Sequence, residues 1–284
     1  MRVLVTGAGG QLGADVVRRF ETAPGARHEV VGTDHATLDT GDRDAALQAI
    51  TSLRPDVVVH CAAWTAVDAC ESDPDRAWRD NALAARWIAD GARRVGAHVV
   101  HVSTDYVFSG DKSTPYHEWD EPSPRSVYGA SKLGGEREYG PDATIVRTSW
   151  VCGEHGNNMV KTVLRIAETN PVLRFVDDQR GHPSFCEDLS VMIHRLAIDR
   201  RPGVHHVTNQ GAVSWFEFVQ EVMRAAGHDP ARVEPIRTAD LDPPRPAPRP
   251  ANSVLDNAAL RLSGVELLPD FREPLERLVR ALTR

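Results

Sequence analysis

In the stretch VYGASKLGGE, Tyr128 and Lys132 stand four residues apart at the start of what reads as a helix. One helical turn separates them, so both side chains lie on one face. An ammonium near a phenol favours phenolate and lowers a pKa that is otherwise about 10. A tyrosine tuned in this way can deliver a proton to a carbonyl oxygen as hydride arrives at the carbon, and it is then a general acid. Lysine is scarce here: Lys112, Lys132 and Lys161 are the only three in 284 residues. Even so, the Tyr-x-x-x-Lys spacing would arise by chance in roughly one such chain in twenty-five, so it needs support from elsewhere. Alone, it reads equally as an amphipathic surface pair.

Support comes from a strand end and a glycine loop. HVVHVSTDYVF reads as a buried strand ending in Ser103, Thr104 and Asp105. Ligands gather at the carboxyl ends of strands in a doubly wound sheet, so a substrate-facing hydroxyl is expected at Thr104. There it would help polarise the carbonyl that Tyr128 protonates, while Lys132 could also hold a nicotinamide ribose. Near the start of the chain, Gly7-Ala8-Gly9-Gly10-Gln11-Leu12-Gly13 separates the first strand, VLV, from a helix over about Gln11 to Phe20. The glycines fall at 7, 10 and 13, and Leu12 takes the sixth place of the usual dinucleotide fingerprint. The physics is shared: a tight turn, and a backbone bare enough to reach a pyrophosphate at the positive end of a helix. Asp34 closes the second strand, about twenty residues on. It can accept hydrogen bonds from both adenosine ribose hydroxyls and would repel a 2′-phosphate, which favours NADH over NADPH. Its other reading is a turn cap. Asp39 and Thr40 then fall near the adenine.

The elements that must position these residues alternate. After VLV and the first helix come HEVVGTD as strand, DAALQAITSLRP as helix, DVVVHCAA as strand, and AWRDNALAARWIADGARRVG as a long helix. Strand and helix in alternation call for right-handed crossovers, and so for an α/β fold with a doubly wound parallel sheet of Rossmann type. The rhythm loosens after ATIVRTSWVCG. Residues 1–150 read as a dinucleotide-binding domain and 151–284 as mainly a smaller C-terminal substrate domain. The chain is expected to return to the first domain for a strand and helix near 203–226. The run DPPRPAPRP at 242–250 cannot be helix or central strand. It is either a linker or an ordered loop clamped over a site.

Composition narrows the classes. Apolar content of 41% describes a globular chain with an ample core. A net charge of −7 argues against a general nucleic-acid binder. Cys61, Cys70, Cys152 and Cys186 are scattered without a Cys-x-x-Cys pair, so neither a disulfide framework nor a zinc site is expected. No metal ligands are read. With no signal-peptide pattern and no long apolar run, the expectation is a cytoplasmic protein with no membrane partner.

Several longer strings are more specific. TGAGGQLG (6–13), RPDVVVHCAAWTAVDACE (54–71), HVSTDYVFSG (101–110), VYGASKLGGE (127–136), RTSWVCGEHGNNMVKT (147–162), VDDQRGHPS (176–184) and RPANSVL (249–255) resemble the dTDP-4-dehydrorhamnose reductases. These belong to the extended short-chain dehydrogenase/reductases, and the resemblance runs over almost the whole chain in the right order. It implies NADH- or NADPH-dependent reduction of the 4-keto group of a dTDP-4-keto-6-deoxyhexose, first of all dTDP-4-dehydro-L-rhamnose. The alternative it leaves open is a ketoreductase of antibiotic deoxysugar biosynthesis. An epimerase or a non-catalytic subunit on the same scaffold ranks behind both.

The resemblance also assigns residues. Gly10, Gln11 and Leu12 would line the pyrophosphate, and Ala62, Ala63 and Trp64 would lie along the cofactor. Thr104, Asp105 and Tyr128 would face the sugar, with Trp150 packed against it. Asn157 and Asn158 would bond the nucleotide or turn the chain into the next helix. Arg245 and Arg249 would reach the substrate's phosphates or solubilise a loop. Departures stand at His60, Ser184, Cys152 and Trp64, where the family often has Asn or Asp, Thr, Tyr, and a small or polar residue. Some relatives carry magnesium at a dimer contact. A homodimer is one state that the resemblance allows, and no magnesium ligand set is read here.

Overall fold

The computed structural model describes residues 1–24 and 27–284. Its first half alternates as expected: β1 (Arg2–Thr6), α1 (Gln11–Thr22), β2 (Glu29–Thr33), α2 (Arg43–Leu53), β3 (Val57–His60), α3 (Val67–Ser72), α4 (Pro74–Trp78), α5 (Ala84–Val95), β4 (His98–Thr104), α6 (Val127–Glu136) and β5 (Thr144–Thr148). The second half holds β6 (Val151–Cys152), α7 (Met159–Ala167), β7 (Leu173–Val176), β8 (Arg180–Gly181), β9 (Ser184–Phe185), α8 (Cys186–Ile198), β10 (Gly203–His206), β11 (Val213–Ser214), α9 (Trp215–Ala225), β12 (Val233–Ile236), α10 (Ala258–Leu262) and α11 (Arg272–Leu282).

Six strands form one parallel sheet in the order β2-β1-β3-β4-β5-β10. The winding reverses between β1 and β3, and at such a switch point the loops after the strands diverge and leave a crevice. Strands β3 and β5 are buried at every residue, as strands covered on both faces must be. On one face Val16 and Phe20 of α1 pack with Leu189, Ile193 and Leu196 of α8. On the other, Ile50 of α2 meets Ile88 and Ala92 of α5. A separate core gathers Val160 and Val163 of α7, Phe218 and Val222 of α9, and Leu275 of α11.

The return of the chain to the sheet differs in one element from the expectation. β10 does pair with β5, at Val204 beside Ile145. The helix at Trp215–Ala225 packs instead in the separate core, and the helix that covers the sheet is α8. The reason is topological: a parallel strand needs a crossover leading into it, so the covering helix precedes β10. The long helix read over 77–96 is also broken, by a π-helical turn at Arg79–Leu83 between α4 and α5. As for the proline-rich run, the ordered-loop reading describes it. Ala247 and Pro250 are buried, and a Cβ on Gly110 would come within 2.5 Å of Pro250.

Buried imidazoles give this core a pH dependence. Burial lowers His60 and His206 to about 3 and His182 to about 4, from 6.5. Below pH 6.5 the unfolded chain therefore binds more protons than the folded one, and stability falls as pH drops toward 3 or 4. Each imidazole is expected to forfeit about 2 kcal/mol by pH 5. Asp105, raised by burial to about 6, works in the opposite direction between its two pKa values. Denaturant unfolding should show a clearly lower midpoint at pH 5 than at pH 7; equal midpoints would refute the balance.

Candidate active site

Two cavities of about 500 and 550 Å³ share Gly7, Gly10, Cys61 and Ala63 and so form one cleft over the switch point. Gly7, at φ +71°, makes the turn out of β1. A Cβ there would sit 2.7 Å from the Ala62 nitrogen, which shows how closely the β1 and β3 loops approach. Gly10 caps α1 without a side-chain bond, leaving the first N–H groups of that helix to whatever fills the cleft. Bare backbone and uncapped donors suit a pyrophosphate. Asp34, Asp39, Thr40, Ala62, Ala63 and Trp64 line the first cavity.

Asp34 both lines this cavity and caps a turn. One oxygen accepts from the Ala36 and Thr37 nitrogens at 3.1 and 3.0 Å and from the Thr37 hydroxyl at 2.9 Å, which caps a turn. These bonds, led by the Thr37 hydroxyl, hold its carboxyl below the usual range. Trp64 carries the Arg76 guanidinium 4.3 Å from its ring centroid.

The second cavity brings Gln11, Leu12, Gly13, Thr104, Asp105, Tyr128, Lys132, Trp150 and Asn157 together. Tyr128 and Lys132 are both buried, on a helix begun by Ser126, whose hydroxyl accepts from the Gly129 nitrogen at 3.1 Å. Thr104 Oγ1 donates to Asp105 at 3.0 Å, and the second Asp105 oxygen has no partner. The electrostatics depart from the expectation for the pair. Lys132 Nζ donates to the Val102 carbonyl at 2.7 Å. Tyr128 is pushed above its ordinary value by burial, and the Thr104 hydroxyl only partly opposes this. The phenol therefore keeps its proton, which is the state a donor requires. Lys132 is itself lowered to about 8 by burial, with Glu136 and then Cys61 pulling the other way.

Of the two readings for Asn158, the start of the next helix is the one its side chain shows. Its side chain caps α7 by accepting from the Lys161 nitrogen at 3.1 Å, and donates to Gly153 O at 2.8 Å and Gln11 Oε1 at 3.0 Å. It orients Gln11 rather than lining the cleft. Arg249 lines an adjoining cavity of about 300 Å³ with Arg245, Tyr106 and Trp215. Asp68 of α3 grips Arg249 at 2.5 and 2.9 Å, and this pair fastens the proline-rich loop.

Sequence reading missed Trp215 and Asn81. Trp215 stacks on Trp150 at 3.6 Å and 9°, and it lines both the cavity of about 550 Å³ and the adjoining one of about 300 Å³. Trp150 needs that support, since its φ of +46° is strained for a bulky residue. Asn81, aimed by the π-helical turn, accepts from Trp64 N at 2.8 Å and donates to Ser131 Oγ at 3.0 Å, linking the β3 loop to α6. The capping box of Ser214 and Glu217 marks where α9 starts, and hence Trp215, but nothing local in the sequence signals either contact.

Known proteins share this fold. The family model described as RmlD substrate binding domain matches residues 1–284. The chain is 40% identical over 290 residues to the dTDP-4-dehydrorhamnose reductase of Streptomyces griseus, covering 99% of this chain and 94% of that one. The chain belongs to the dTDP-4-dehydrorhamnose reductase family. It is also 42% identical over 282 residues to a probable dTDP-4,6-dihydroxy-2-methyloxan-3-one 4-ketoreductase of Streptomyces antibioticus, covering 97% and 93%. A solved dTDP-4-dehydrorhamnose reductase from Bacillus anthracis, in complex with NADP, superposes with a TM-score of 0.92 at 37% identity and covers 99% of each chain. This family member is a ketoreductase that uses a nicotinamide cofactor. Among its described residues, no helix is long and apolar enough to cross a membrane, and no group of three or more His, Cys, Asp or Glu is placed to hold a metal ion.

Proposed function

We propose that the chain reduces the 4-keto group of a dTDP-4-keto-6-deoxyhexose to the alcohol, with dTDP-4-dehydro-L-rhamnose as the leading substrate. The observation that carries this reading is the meeting of Thr104, Tyr128 and Lys132 in one cleft with the glycine loop. A bound dihydronicotinamide supplies the hydride for the sugar carbon. The Tyr128 hydroxyl gives its proton to the carbonyl oxygen, and Thr104 orients that oxygen by hydrogen bonding. Lys132, fixed by the Val102 carbonyl, lies on the same helix face to hold the nicotinamide ribose and replenish the positive field. The uncapped start of α1 with Gly7, Gly10, Gln11, Leu12 and Gly13 suits the pyrophosphate, and Asp34, Asp39 and Thr40 the adenosine. Asp34 keeps one oxygen free of the turn it caps, which supports ribose binding and a preference for NADH. A dehydratase on the same scaffold, which would need an Asp-Glu acid–base pair directly after the strand-end threonine, is disfavoured because Tyr106 follows Asp105.

In this reading residues 1–150 with β10 form the cofactor unit, and most of 151–284 forms the substrate unit. Asp105 and the Trp150–Trp215 stack face the sugar. Arg249 and Arg245 line the adjoining cavity, and in this reading that cavity would take the nucleotide diphosphate. A cytoplasmic location and a homodimer fit the family and remain part of the proposal.

The likeness to the Streptomyces antibioticus ketoreductase favours a second reading, a natural-product deoxysugar as substrate. Nicotinamide absorbance, followed with dTDP-4-keto-6-deoxy-D-glucose in the presence and absence of a 3,5-epimerase, separates the two. Oxidation only with the epimerase is expected. Oxidation without it would replace the rhamnose reading by a D-sugar ketoreductase, and NADH tried against NADPH decides the cofactor.

A further inference from the structure

Behind the cleft lies a buried ion pair that the reaction as described does not use. Arg147 of β5 donates to Glu136 of α6 through Nε at 2.9 Å and through Nη2 at 2.6 Å, and both side chains are buried. Glu136 also accepts from Ser103 Oγ at 2.5 Å. Ser103 lies between Val102, whose carbonyl holds Lys132, and Thr104. Three consecutive residues at the end of β4 thus connect to one helix: Val102 to Lys132, Ser103 to Glu136, and Thr104 beside Tyr128. Glu136 stands one turn beyond Lys132 on that helix, so their side chains share a face.

We propose that Glu136, anchored by Arg147, is a positioning residue that docks α6 on the end of β4 and keeps the buried Lys132 ammonium charged. This rests on the reading of Lys132 as the cation of the reductase site. Asp105, next to Thr104 in the same cavity and raised by burial only to about 6, is the other anion nearby at pH 7. It is bonded by the Thr104 hydroxyl, and Glu136 is the carboxylate that acts most on Lys132. The remaining titratable neighbours are neutral. From β3 come His60 and Cys61, from β4 His101, and from α6 itself Tyr128. Burial holds His60 at about 3 and His101 well below its ordinary value, so both are neutral at pH 7. Burial lifts the Cys61 thiol to about 12 and raises Tyr128 as well, so neither is an anion there. Glu136 leads the influences that oppose the burial of Lys132.

The scarcity of lysine makes the test direct. Protein grown on lysine labelled with ¹³C at Cε gives one signal each for Lys112, Lys132 and Lys161, and Lys132→Met identifies the one of interest. Wild type should titrate near pH 8 at Lys132. In Glu136→Gln the midpoint should fall by about one pH unit, and the alkaline limb of kcat/KM should move down with it. Because Glu136→Gln strands a buried guanidinium, Glu136→Gln/Arg147→Met is measured beside it, with a smaller downward shift expected because the paired cation leaves together with the carboxylate. A folded variant whose Lys132 midpoint stays in place overturns the proposal, even if activity drops. Absence of turnover on any dTDP-4-keto sugar by wild type would defeat the reductase reading instead, and the lysine titration would still decide this one.

Discussion

Replacing Tyr128 by Phe is expected to lower kcat by about 10²- to 10⁴-fold, the usual contribution of a positioned general acid. Cofactor affinity should change little. The ring is buried among Cys70, Ala77, Val67 and Trp64, and it meets Tyr106 edge-on with centroids 5.7 Å apart. Phenylalanine keeps those apolar contacts and removes one oxygen. Burial already holds the phenol protonated in the folded chain, so what disappears is the proton donor and no charge is lost. Single-turnover absorbance measures the chemical step, and quenching of tryptophan fluorescence by NADH measures binding. Near-normal turnover would remove Tyr128 from the chemistry. Lost turnover together with lost binding would mean the substitution had disturbed the cleft as a whole.

Gly13→Ala is expected to destabilise the protein and to weaken cofactor binding at least about tenfold. Helix propensity by itself says the reverse, since alanine is better than glycine inside a helix by about 1 kcal/mol. The structure overrides that preference. A Cβ at position 13 would lie 2.1 Å from the Gly7 oxygen, 2.7 Å from the Gly7 carbon and 3.0 Å from the Ala8 Cα. All three are backbone atoms of the loop that must stay bare, so no side-chain rotation relieves the clash. Forcing the loop away costs about 1–3 kcal/mol, as overpacking does elsewhere. It also moves the turn at Gly7 off the start of α1. Thermal melting with and without NADH measures both effects, and a melting temperature equal to or above that of wild type would show that the loop can yield.

How much could be read from the chain alone follows the range of the interactions. The β1–α1 loop, the strand end at Thr104 and the Tyr128–Lys132 spacing are local patterns, set by which residues can make a tight turn, a fully buried strand or one face of a helix. Alternation of strand and helix then leaves few topologies, so the doubly wound parallel sheet was legible too. The longer strings carried the family for the same reason, since the order of motifs is itself sequence.

Tertiary structure alone decided the contacts between distant segments. Glu136 and Arg147 are ordinary charges in the sequence and become a buried pair only because α6 packs against the neighbouring strands β4 and β5. Asp68 and Arg249 are 181 residues apart and meet to close the proline-rich loop. The Trp150–Trp215 stack joins a strained residue after β5 to the first residue of α9. The protonation of the site belongs here as well. Spacing suggested that Lys132 would lower Tyr128, but burial raised the phenol and lowered the lysine. Spacing fixes which groups share a helix face. Desolvation depends on everything packed around that face, and only the folded chain brings it there.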